Sequence, residues 1–177
     1  MQGGTGNQYQ NFDFIKIAIQ NACNKGILTS QAKYGYSDSS LNLSFTNELL
    51  ASCFKVCMER AGWKLPIQIS GANANIQLHD EETRKAINVH QETEEKEVAK
   101  QKTTVTLTKF NLKAATAAIN QPQMKWLALN LEKALNLASE VSAVANVLRN
   151  GEESHGHNFR LRTLARAALS DLHIQTP

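Results

Sequence analysis

Cys53 and Cys57 stand one helical turn apart in a stretch whose apolar residues recur at helical spacing, so their sulfurs share a face. Two thiolates placed this way could bind zinc, with His155 and His157 completing a tetrahedral set. Leu50 and Phe54 lie on the same stripe, however, and the simpler reading of the pair is two small buried hydrophobes. A second cluster, Ser154, His155, Gly156 and His157 beside Glu152 and Glu153, carries the hydroxyl, imidazole and carboxylate groups of nucleophilic or acid–base chemistry. It has no Gly-x-Ser-x-Gly elbow, and neighbours in sequence rarely reach the geometry of a triad. A solvated loop leading into the next helix accounts for it better. Glu92, Glu94, Glu95 and Glu97 lack the ligand spacing and turn glycine of a calcium loop, and read as a solvated acidic face. The chain also lacks a phosphate loop, a dinucleotide fingerprint and a His-Glu-x-x-His helix. A zinc-dependent or hydrolytic enzyme is therefore the third choice, and no catalytic residue, metal ligand or cofactor is assigned.

Positive charge gives the stronger signal. Residues 1–75 hold six basic and four acidic side chains, residues 76–101 four and seven, and residues 102–177 nine and five, so any contact with an anion belongs in the last third. Arg162 and Arg166 are one turn apart on the last expected helix, with Phe159 and His173 on roughly the same side and Arg160 in the first turn. Arg149 ends the preceding helix, and Lys125 and Lys133 lie on its more polar surface. Converged, these six cations would suit phosphate oxygens, with the arginine forks making bidentate contacts. The competing reading is an ordinary solvated helix face whose arginines pair with Glu140, Glu152 or Asp171. No recognition helix stands out, so sequence-specific readout is not expected.

The elements that must position these groups follow from periodicity. From Pro122 to Arg149, Met124, Leu127, Leu131, Ala134, Ala138, Val141, Ala145 and Leu148 recur at alternating spacings of three and four, which predicts a long helix. Leu137 and Val144 widen the stripe, and Trp126, Leu129 and Val147 add apolar surface elsewhere. Only Glu132, Lys133, Asn136, Ser139 and Glu140 are left for water, so such a helix needs cover, from its own bundle or from a second protein. Its seven-residue rhythm and its alanines would admit a close helical neighbour, including another copy of the chain. Asn11 or Asp13 could cap a first helix carrying Phe12, Phe14, Ile15, Ile17, Ala18, Ile19, Ala22 and Cys23, ended by Gly26. Ser44 or Thr46 could cap a second, with Leu49, Leu50, Cys53, Phe54, Cys57 and Ala61 inward, ended by Gly62. Leu41, Leu43 and Phe45 alternate as in a short strand, and residues 67–69 and 76–78 alternate around a turn as in a hairpin. Residues 103–108 are β-rich and could add a strand, and Phe110, Ala114, Ala117 and Ala118 suggest a short helix ending before Pro122. A last helix from about Asn158 directs Leu161, Leu164, Ala165, Ala168 and Leu172 inward.

The expected fold is thus mainly α, a bundle of about five or six helices with a small β hairpin or three-stranded element inserted between the second helix and the long one. Residues 1–10, rich in Gly, Gln and Asn, read as a flexible tail, and 11–177 as a single domain in which 79–102 forms a charged exposed helix, arm or linker. At 177 residues the chain can bury a core without staples, and with aromatics at only 6% its packing falls to Leu, Ala, Ile and Val. Three cysteines, an odd number, fit a reducing compartment better than a disulfide framework. With no export signal or apolar span, the reading is a cytoplasmic protein without a membrane role. The leading functional expectation is a non-catalytic helical subunit of a larger assembly, packing on a protein partner or on itself through the long helix and touching nucleic-acid backbone without sequence specificity. The alternative is a protein–protein interaction module, such as an adaptor, chaperone or effector, with no nucleic-acid role.

Overall fold

The computed structural model describes residues 10–29, 33–35, 40–78, 122–152 and 156–173. The tail to residue 9, the acidic stretch 79–102, the β-rich run 103–108 and the short helix expected near 110–120 lie outside the described residues, as do Glu153, Ser154 and His155.

The first helix, α1 (Gln10–Asn24), buries Ile15, Ala18, Ile19 and Ala22. Neither Asn11 nor Asp13 caps it, because the helix begins at Gln10 and takes both into its first turn. There the Asp13 carboxylate meets the positive end of the helix without being its cap. The chain leaves α1 as expected: Gly26 adopts φ +76° and the Ile27 N–H donates to the Ala22 carbonyl at 2.9 Å. Four strands follow, β1 (Lys33–Gly35), β2 (Ser40–Ser44), β3 (Ile67–Ser70) and β4 (Asn73–Gln77), in one antiparallel sheet of order β1-β2-β4-β3. β3 and β4 are the expected hairpin. Their two-residue loop has positive φ only at Gly71, the place a type II′ turn gives to glycine. The β element is not confined to the region after the second helix, as the periodicity suggested, because β2 comes from before that helix and pairs with β4 along its whole length. Leu41, Leu43, Ala74, Ile76 and Ile67 fill one face of the sheet. On the other face Asn75 Nδ2 donates to Asn42 Oδ1 and to Ser40 Oγ, so side-chain hydrogen bonds tie β2 to β4 where no apolar contact does.

Between the sheet and the remaining helices lies α2 (Glu48–Ala61). Its cap is Asn47, whose Oδ1 accepts from the Leu50 N–H at 2.9 Å. The two residues expected in that role are engaged elsewhere, Ser44 Oγ donating to Asn73 Oδ1 and Thr46 Oγ1 to the Gly26 carbonyl. Gly62 ends α2 at φ +117°. Beyond the expected Leu49, Leu50, Cys53, Phe54 and Cys57, α2 also buries Ala51, Ser52, Val56 and Met58, because it is covered on both sides; Ala61, expected inside, is exposed at the helix end. Phe54 meets Phe45, at the end of β2, with ring centroids 5.1 Å apart.

The long helix, α3 (Pro122–Arg149), and the last, α4 (Phe159–Asp171), complete the four helices among the described residues; the five or six expected are not all represented there. α1, α2 and α4 all pack on α3. Met124, Leu127, Leu131, Ala134, Ala138, Val141, Val144 and Ala145 are buried, and Leu148 is half-buried where the bundle ends. Asn158 caps α4, its Oδ1 accepting from the Leu161 N–H at 2.8 Å, and Ser52 Oγ of α2 donates to the Ala168 carbonyl of α4 at 2.9 Å. Among the described residues no helix is long and apolar enough to cross a membrane.

Truncating Leu131 to Ala at this junction is expected to cost about 2–5 kcal/mol, Asn47→Ala about 1 kcal/mol through loss of the cap, and Leu129→Ala, on the exposed side, less than either. Urea unfolding of the three variants measures the order, and a Leu129→Ala cost equal to that of Leu131→Ala would contradict the packing described.

Candidate nucleic-acid interface

The six cations divide by helix geometry. Lys125 and Lys133 are both exposed on α3 and lie about 80° apart around its axis and about 12 Å along it. Arg149 is exposed at the far end, about 36 Å from Lys125 along the axis and about 160° around from Lys133. Its guanidinium donates to Asn146 Oδ1 at 2.9 Å, a local bond that holds it near its own helix. On α4, Arg162 and Arg166 are about 40° apart, whereas Arg160 sits about 160° from Arg162, across the buried stripe of Leu164, Ala165 and Ala168. Of the six, the helix geometry therefore pairs Arg162 with Arg166 on one face, while Arg160 and Arg149 point away from their nearest partners in sequence.

That pair has the properties an anion site requires. Among the described residues no carboxylate makes an ion pair with Arg160, Arg162 or Arg166, so the expected alternative pairing with Glu140, Glu152 or Asp171 is not formed there. Arg162 is half-buried, and its Nε–H is enclosed without an acceptor. The stem is thus held by packing while the ends of the guanidinium remain unpaired, an arrangement in which less side-chain freedom is lost when an anion binds. Phe159 is exposed on the arginine side of α4, whereas His173, expected there too, is exposed beyond the end of the helix at φ +56°, where helical spacing no longer sets its side.

A second exposed feature is apolar. Phe14 and Ile17 of α1 are 46% and 54% exposed and Leu129 of α3 is 63% exposed. Asn21 Nδ2 donates to Glu132 Oε1 and Lys25 Nζ to Asn136 Oδ1, so α1 and α3 run in the same direction with residues paired at a constant offset. Carried one turn back, that register sets Ile17 opposite Ala128, next in the chain to Leu129. Phe14, Ile17 and Leu129 thus continue the polar seam as an apolar patch. Periodicity held the signal: Phe14 and Ile17 lie about 100° and about 160° around α1 from Ile15, outside its buried stripe.

The cysteine pair belongs to the core. Burial pushes the Cys53 thiol up from 9.0 to about 12, reinforced by Cys57. Burial likewise pushes Cys57 up to about 12, against the lowering effect of the Arg160 charge and with a smaller upward push from Glu140. Thiols that hold their protons this firmly are poor nucleophiles. Among the described residues no three His, Cys, Asp or Glu side chains are gathered to hold a metal; His155 lies outside them.

Because the native thiols keep their protons to about pH 12 and those of the unfolded chain ionise from about pH 9, their burial stabilises fully below pH 9 and that contribution is lost as pH rises toward 12. A Cys53→Ala/Cys57→Ala variant is expected to be less stable at pH 7 but to lose stability less steeply between about pH 9 and 11. Parallel denaturation curves, or rapid reaction of both native thiols with iodoacetamide at neutral pH, would contradict this.

No family model, curated protein or solved structure matches the chain.

Proposed function

We propose that the protein is a non-catalytic helical subunit of a larger assembly that contacts nucleic-acid backbone through Arg162 and Arg166, with Lys125, Lys133, Arg149 and Arg160 adding positive potential around them. The observation that carries this reading is the pair of arginines on one face of α4, free of carboxylates among the described residues, with the Arg162 stem already enclosed. Guanidinium forks presented in this way match phosphate oxygens and read no base edges, so binding is unspecific in sequence. The mechanism is counterion release: each phosphate neutralised frees condensed cations, and affinity falls as salt rises.

The assembly half of the proposal has narrower support than the sequence suggested. Most of the apolar surface of α3 is spent inside its own bundle, and what remains for a partner is the patch of Phe14, Ile17 and Leu129. That patch also favours a second reading, an interaction module whose arginines serve solubility alone. A protein complex that survives nuclease and high salt, with no nucleic acid in it, would put that reading first.

For the leading reading, untagged protein purified at low salt is expected to carry absorbance at 260 nm that a high-salt wash removes. Arg162→Glu/Arg166→Glu should weaken oligonucleotide binding at least tenfold and flatten the slope of log affinity against log salt by about 0.7–0.9 for each phosphate no longer neutralised. Affinity that does not respond to salt, or a double variant that binds as the parent does, would remove the proposal.

A further inference from the structure

We infer that the Phe159–Arg162–Arg166 face of α4 takes single-stranded nucleic acid, one base stacking on the Phe159 ring while the two guanidinia hold adjacent phosphates. This rests on the nucleic-acid reading above and narrows it to a class of ligand.

Phe159 is 73% exposed, the most exposed of the large apolar side chains described. It stands about 20° around the helix from Arg166 and about 60° from Arg162, all three within about 10.5 Å along the axis. The other large apolar side chains left in water, Phe14, Ile17 and Leu129, belong to α1 and α3, so among the described residues the ring is alone among cations. That isolation decides between two partners. A protein interface needs a contiguous apolar centre ringed by polar groups, which a single ring does not supply. A nucleobase needs one flat ring with positive charge beside it, and any base satisfies it, in keeping with the absence of base-edge readers. A duplex hides its base faces within the stack, so only an unpaired strand can use the ring.

The backbone that carries the ring is fixed in the first turn of α4: Asn158 Oδ1 caps that turn through the Leu161 N–H at 2.8 Å, and Thr163 Oγ1 donates to the Phe159 carbonyl at 2.9 Å.

The test measures binding of the full-length chain to a fluorescent oligothymidylate and to a labelled hairpin duplex at one salt concentration, by anisotropy, with folding of each variant checked by circular dichroism. Phe159→Ala should lower affinity for the single strand about 5- to 100-fold and leave duplex binding within about twofold. Phe159→Trp should keep the single-strand affinity, with indole emission quenched on binding. An unchanged Phe159→Ala affinity alongside a weakened Arg162→Gln would overturn the stacking inference and leave the backbone reading standing, as would equal losses for strand and duplex. Parent protein that binds neither oligonucleotide would overturn both. Phe159-dependent binding of polyglutamate in place of either oligonucleotide would overturn both as well, and identify an acidic peptide as the occupant.

Discussion

Between Met124 and Ala145 a single helix carries a band of apolar side chains too broad for one neighbour to cover, and the burial of that band organises the bundle. α1, α2 and α4 each take part of it. The alanines at 134, 138 and 145 keep the surface of α3 low where neighbours approach, and the leucines at 127, 131 and 135 fill the space between. Close packing of this kind tolerates neither a missing methylene nor an added one, so the relative positions of the surrounding helices are set by α3. Since α4 is one of them, the orientation of the arginine face is a consequence of how the long helix is buried.

The sheet enters this arrangement through α2, which is apolar on both sides because it separates two layers. Phe45 and Phe54 close one side, and Ser52, bonded to the Ala168 carbonyl, closes the other. A hydroxyl buried among apolar groups would destabilise the core if left unpaired, and its one acceptor lies on α4, so this bond fixes where α4 sits as well as holding it. Trp63, just beyond α2, packs against Trp126 near the start of α3 with ring centroids 5.4 Å apart, and so joins the end of one helix to the beginning of the other.

Charge plays little part inside the bundle and is left for its surface. The seam between α1 and α3 is closed by two hydrogen bonds that each have one charged partner, Asn21 to Glu132 and Lys25 to Asn136, and Arg162 and Arg166 make no ion pair among the described residues. Surface ion pairs stabilise little, so a fold loses little by omitting them, and arginines so released are free to meet an external anion. The two exposed features, an apolar patch on α1 and α3 and an aromatic ring among arginines on α4, differ in chemistry and suit partners of different kinds.

Four described helices, the β3–β4 hairpin, the glycines that end α1 and α2 and the shared face of Arg162 and Arg166 were legible in the sequence, because these depend on spacing along a regular backbone and on conformations only some residues adopt. The sequence also marked Cys53 and Cys57 as core, since a thiol on an apolar stripe has no better use. It did not reveal the cap of α2: Ser44, Thr46 and Asn47 can all accept the orphan N–H, and the choice was made by Asn73 and the Gly26 carbonyl, which engage the first two from distant parts of the chain. Nor did it place β2 beside β4, or show that Phe14, Ile17 and Leu129, outside the buried stripes of their helices, stay uncovered, because composition states that a residue is apolar and only the neighbouring elements state whether anything covers it. The same limit applies to the cations. Periodicity aligned those on one helix, whereas the relation between helices, and with it the isolation of Phe159 beside two unpaired arginines, was decided by the tertiary packing around α3.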